Sequence, residues 1–104
     1  MQLIVADTGQ HIAITVKEPR IDAAIATSFK DKMREIVLQG HKPVQLDMRC
    51  VDFMDSSGLG AMVAVRKALP SELPIVLAGM TPNVERVFRL TRMDTVFQIQ
   101  PHVA

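Results

Sequence analysis

Val44-Gln45-Leu46-Asp47-Met48-Arg49-Cys50-Val51-Asp52-Phe53-Met54-Asp55-Ser56-Ser57-Gly58-Leu59-Gly60 begins with the period of a strand and ends with the composition of a helix. Val44, Leu46 and Met48 alternate with polar residues, the pattern of a half-buried strand. From Leu59 to Leu69 small residues dominate (Gly60, Ala61, Ala64, Ala68), which predicts a helix able to pack closely on a sheet and stopped by Pro70. The junction is a strand-to-helix turn carrying two hydroxyls, Ser56 and Ser57, just after the carboxylates of Asp52 and Asp55. Strand, helix and strand in succession form a parallel crossover, so this stretch decides the fold class.

Outward from it, both flanks extend the same alternation. Leu3-Ile4-Val5 and the run Ile12, Ile14, Val16 read as two strands joined by the turn-forming Asp7-Thr8-Gly9-Gln10. Pro19 in Lys17-Glu18-Pro19-Arg20 ends the second strand. Asp22 is the predicted N-cap of a helix reaching about Leu38, with Ile25, Phe29, Met33, Ile36 and Val37 on its inner side and Gly40 closing it. Downstream, Leu73-Pro74-Ile75-Val76-Leu77-Ala78 predicts a strand buried on both faces. Thr81-Pro82 starts a third helix, with Thr81 as hydroxyl cap and Val84, Val87, Phe88 and Thr91 as its inner stripe. Val96-Phe97-Gln98-Ile99 is the last predicted strand. The order β-β-α-β-α-β-α-β predicts one α/β domain over residues 1–104, a mixed sheet with an antiparallel edge and helices packed on it.

Composition narrows the function classes. Of 104 residues, 48% are hydrophobic, Trp and Tyr are absent, and the net charge is +1. No basic run is longer than Arg66-Lys67, and the aromatic platforms of single-strand binders are missing, so no direct nucleic-acid contact is expected. The N-terminus lacks the positive region of a signal peptide, and no apolar stretch reaches the roughly 18 residues of a membrane span, so no membrane insertion is expected. The lone Cys50 excludes an internal disulfide and fits a reducing cytoplasm. It is expected in the core, as are Met33, Met48 and Met62.

Catalytic parts are lacking as well. Ser56 or Ser57 as a nucleophile needs an oriented base. His11, His41 and His102 lie in or beside turns or at the terminus, where exposure is expected. Gly58-Leu59-Gly60 lacks the lysine and extended glycines of a phosphate-binding loop. No His, Cys or Asp spacing suits a metal, and no cofactor is implied. Catalytic residues are therefore expected to be none. Two readings of the junction stay open: Asp55 or Ser56 caps the helix while Gly58 relaxes the turn, or the helix N-terminus carries a phosphate.

Phe53-Met54-Asp55-Ser56-Ser57-Gly58-Leu59-Gly60, after an apolar strand and before a small-residue helix, resembles the phosphorylation signature of bacterial anti-sigma-factor antagonists, members of the STAS-domain family shared with sulfate transporters. The similarity extends to the leading strands, Asp22, Val84-Glu85-Arg86-Val87-Phe88-Arg89-Leu90 and the closing Met93-Asp94-Thr95-Val96-Phe97, where Asp94 stands in place of the usual glycine. The resemblance implies a STAS-like domain whose unphosphorylated form binds an anti-sigma factor with serine kinase activity. It implies Ser56 as the phosphoacceptor, with Ser57 as second choice, and a serine phosphatase that resets the switch. The implied partner-binding residues are Asp22, Asp52, Asp55, Ser56, Ser57 and Gly58. Gly58 and Gly60 are expected to permit close backbone approach, and Glu18 and Asp22 to share an acidic surface with Asp52 and Asp55. Lys17-Glu18-Pro19-Arg20 departs from the family's glycine-containing loop. The alternative is a stand-alone STAS subunit of a transport or signalling complex without phosphorylation control.

Overall fold

A computed structural model describes residues 1–101 of the chain. Its elements are β1 (Leu3–Asp7), β2 (Ile12–Val16), β3 (Arg20–Ile21), α1 (Ala26–Gly40), β4 (Val44–Asp47), β5 (Phe53–Met54), α2 (Ser56–Ala68), β6 (Ile75–Ala78), α3 (Pro82–Leu90) and β7 (Gln98–Gln100), with a 3-10 turn over Met93–Thr95. Five strands form the main sheet in the order β1-β2-β4-β6-β7. Among the described residues only the β1–β2 hairpin pairs antiparallel, so the mixed sheet and its antiparallel edge are as expected.

Alternation along the strands sends one face inward. Ile12, Ile14 and Val16 of β2, Val44 and Leu46 of β4, and Ile75 and Leu77 of β6 are buried with Phe29, Met33 and Val37 of α1 and Met62 and Val65 of α2. Met33, Met48 and Met62 fill this core as expected. The opposite face carries Ala13, Thr15, Gln45 and Val76, all half-buried. The core is therefore one-sided, and α1 and α2 cover it side by side.

Two short strands were not expected. β3 and β5 pair in parallel as a separate two-stranded sheet, Arg20 opposite Phe53 and Ile21 opposite Met54. Each is only two residues long, too short for any periodicity to declare itself.

Several boundaries also differ. α1 starts at Ala26, not directly after Asp22. The Asp22 side chain accepts from the Ala24 N–H at 3.1 Å, and its carbonyl accepts from the N–H groups of Ile25 and Ala26, so Asp22 organises a turn ahead of the helix. Gly40 is the last residue of α1, and the left-handed residue that ends the helix is His41, at φ 48°. Gly40 packs against Ile12: a Cβ there would overlap the tip of the Ile12 side chain, which would have to shift. The hydroxyl of Thr81 does not cap α3. It donates to the Val51 carbonyl at 3.1 Å, tying α3 to the motif segment. In α3, Val84 and Phe88 are buried, whereas Thr91 is exposed and its hydroxyl donates to the Val87 carbonyl at 2.6 Å. The final strand is shifted to Gln98–Gln100, because Val96 ends the 3-10 turn and Phe97 meets Phe88 edge to face at 5.7 Å. Cys50, expected in the core, is exposed, because it lies in the turn after β4. His41 is exposed as expected. His11 is half-buried against the Thr8 hydroxyl at 3.2 Å, and His102 lies outside the described residues.

Candidate functional site

β4 ends at the carboxyl edge of the main sheet, where Asp47 is 7% exposed. Burial pushes its carboxyl up, but the Arg49 guanidinium, at 2.8 to 3.1 Å, and the Arg49 N–H outweigh burial and hold it below the usual carboxylate range. This pair closes the strand end and turns the chain toward the motif. The Asp52 and Phe53 N–H groups then donate to the Pro19 carbonyl at 2.8 and 3.3 Å, which starts the β3–β5 pairing. Pro19 thus acts as an acceptor in the loop where its ring excludes a donor.

Asp55 joins the two halves of the site. One carboxylate oxygen accepts from the Gly58 N–H at 2.9 Å, capping α2, and the other accepts from the Ala23 N–H at 3.1 Å. Of the two candidate caps, Asp55 is the one used, and α2 begins at Ser56, three residues earlier than expected. The Gly58 N–H, with help from Ala23, holds the Asp55 carboxyl below the usual carboxylate range. A depressed folded value means that Asp55 stabilises the fold above its unfolded pKa and that this contribution is lost as pH falls through the folded value. Wild type is therefore expected to exceed Asp55→Ala in stability at neutral pH, with the gap closing below about pH 4 in urea unfolding at stepped pH. A gap independent of pH would separate the cap from the charge.

Gly58 is buried beneath this staple. A Cβ there would overlap the Ile21 carbonyl oxygen and stand 3.0 Å from the Met54 Cγ, so β3 and β5 close directly over the first turn of α2. Gly60 differs from expectation: its Cβ position opens onto empty space. It lines a shallow groove of about 350 Å³ between α1 and α2 with Ser57, Ala61, Ala26 and Lys30.

Ser56 and Ser57 are both exposed as the first two residues of α2. The structure brings Asp55, Ser56, Ser57 and Gly58 together with Asp22 through the Ala23 N–H, and leaves Asp52 exposed on the approach to β5. The expected acidic surface is smaller than the sequence suggested. Glu18 accepts from the Gln2 N–H at 2.8 Å, and Asp22 is paired with the Arg20 Nε at 3.1 Å. Asp52 and Asp55 belong to no ion pair among the described residues. Arg20 was missed by the sequence reading. It lies over the Phe53 ring at 4.2 Å and joins the site through Asp22, and only the β3–β5 register reveals it. Among the described residues no cluster of His, Cys, Asp and Glu could hold a metal, and no helix is long and apolar enough to cross a membrane.

A strand-to-helix serine turn stapled to a second loop, on a mixed sheet with helices on one face, defines a STAS-type fold. Residues 2–104 match the STAS domain family model, and the chain belongs to that family. It is 30% identical over 91 residues to the anti-sigma-B factor antagonist of Listeria monocytogenes, covering 86% of this chain and 79% of that one. An anti-sigma factor antagonist from Mycobacterium paratuberculosis superposes with TM-score 0.85 at 23% identity, over 98% of this chain and 86% of that one. The Bacillus cell-fate determinant SpoIIAA, solved in its phosphorylated form, superposes with TM-score 0.69 at 18% identity, over 94% and 90%. The chain is thus a homologue of anti-sigma-factor antagonists.

Proposed function

We propose that this protein is a cytoplasmic anti-sigma-factor antagonist that regulates transcription by partner switching, and that it is a binding protein rather than an enzyme. Unmodified, it binds an anti-sigma factor with serine kinase activity. Phosphorylation of Ser56 releases that partner, and a serine phosphatase restores binding. The observation that carries this reading is the division of labour at the helix start: Asp55 takes the cap, which leaves the Ser56 hydroxyl exposed at the first position of α2. A helix N-terminus tolerates a phosphate, favouring negative charge by about 0.3–1 kcal/mol when exposed. The phosphate adds about −1.5 to −2 charge beside Asp55, which is held ionised, and beside exposed Asp52. Charge accumulates at the docking face while the fold stays in place. Asp22 and Ser57 complete that face, and buried Gly58 holds the turn beneath it.

Intact-mass measurement and phosphosite mapping of the protein from its native host test this directly. One phosphate on Ser56, abolished in Ser56→Ala and retained in Ser57→Ala, is the expected outcome. A phosphate on Ser57 moves the acceptor by one residue. An unmodified protein through all growth phases and stresses replaces this reading with that of a STAS subunit of a transport or signalling complex.

A further inference from the structure

The main sheet has two edges, built differently. β7 is Gln98-Ile99-Gln100 followed at once by Pro101, which has no N–H to offer a neighbouring strand. β1 has no such guard. Leu3-Ile4-Val5-Ala6 contains no charge and no proline, and Asp7 at its end is bound by the Lys42 Nζ at 2.8 Å to both oxygens. Ile4 is 54% exposed and Val5 46%. An unguarded apolar edge is a template for another strand.

The hydrogen-bond parity of β1 decides which residues face outward. The Lys17 N–H donates to the Gln2 carbonyl at 3.0 Å, and the Thr8 N–H to the His11 carbonyl at 3.0 Å. With Leu3 opposite Val16, the residues of this segment bonded to β2 are Gln2, Ile4, Ala6 and Thr8. Leu3, Val5 and Asp7 therefore turn their N–H and C=O groups toward the open edge. A strand of the same sequence, run antiparallel and centred on Ile4, sets Leu3 opposite Val5 twice and satisfies all four N–H and C=O pairs. Ile4 then meets its own copy on the sheet face away from the core.

The neighbouring helix suits the same partner. Lys32, Glu35 and Ile36 of α1 border Leu3 and Val5, while Gln39 and Gly40 border Val5 and Asp7, so α1 runs alongside β1 in the same direction. A two-fold axis that reverses β1 also reverses α1. It presents the exposed Lys32 of each copy to the side on which the other carries Glu35. A flank with both signs in this order complements itself, as an isologous interface requires. We infer that β1 is a homodimerisation edge, and that two copies join their main sheets through an antiparallel β1–β1 pair flanked by Lys32 and Glu35. Ser56 opens α2 after β5, a strand of the separate two-stranded sheet, so it is not part of the β1 edge.

Sedimentation equilibrium of the full chain over a concentration series tests this. Val5→Pro removes one outward N–H and leaves the β2 ladder intact, and Ile4→Lys sets two like charges against each other across the axis. The wild type is expected to dimerise, and each variant to weaken the dimer by at least about tenfold while keeping a cooperative melt. Lys32→Glu should also weaken it, and Lys32→Glu with Glu35→Lys should restore it. If Val5→Pro does not fold, Ile4→Lys, changed at an exposed position, decides alone. A wild type that stays monomeric into the millimolar range, or a dimer indifferent to Val5→Pro and Ile4→Lys, overturns the inference.

Discussion

Ser56→Asp is expected to bind the proposed anti-sigma-factor partner at least about tenfold more weakly than wild type, a loss of ~1.4 kcal/mol or more. The hydroxyl it replaces is exposed at the first turn of α2, next to a carboxylate already held ionised by backbone N–H groups. A second carboxylate there cannot use the Gly58 N–H that Asp55 occupies, so its charge stays outward, where an interface would have to desolvate it. A phosphate carries about twice that charge and should act more strongly than the mimic. Ser56→Ala should bind as wild type and resist release. Calorimetric titration of the partner with the three proteins reads both effects. Ser56→Asp binding as tightly as wild type would remove the electrostatic basis of the switch, and a partner lost equally by Ser56→Ala would show that the hydroxyl itself makes the contact.

The largest stability effect is expected at Gly58, and the control lies two residues away. Gly58→Ala places a methyl on the Ile21 carbonyl, a backbone group that β3–β5 pairing prevents from moving aside. Overpacking of this kind costs about 1–3 kcal/mol, more than the gain of up to ~1 kcal/mol that alanine brings to a helix interior. Gly60→Ala meets open space and should keep that gain, raising stability by about 0.5–1 kcal/mol. Opposite shifts of the urea midpoint for two identical substitutions in one helix test the close approach of Ile21. Parallel shifts would mean that β3 yields and that the site is looser than its geometry suggests.

Much of the architecture was legible because it rests on long patterns. The hairpin, the crossovers and the buried methionines follow from alternation and helical spacing over several residues. The misplaced features are those decided by one tertiary contact. Gly40 has the residue type of a helix terminator, yet it serves the packing of Ile12 and leaves the left-handed conformation to His41. Thr81 has the residue type of a cap, yet its hydroxyl is drawn to the Val51 carbonyl thirty residues away. Cys50 is as apolar as a core residue, and exposure follows from the turn that Asp47 and Arg49 build before it. At the candidate site the motif residues could be named from their order alone. Arg20 could not, because its place beside Phe53 depends on a register between two strands of two residues each.

The hydrogen bond from the Ala23 N–H to Asp55 spans thirty-two positions of chain. It makes the serine turn a composite surface, assembled from two distant segments, rather than a linear tag. A peptide copied from residues 50–60 carries every letter of the motif and none of the frame that Pro19, Ile21 and Ala23 supply. Whatever recognises this turn in its native form reads a folded object, and synthetic peptides of the motif are poor substitutes for it in any search for its binding partners.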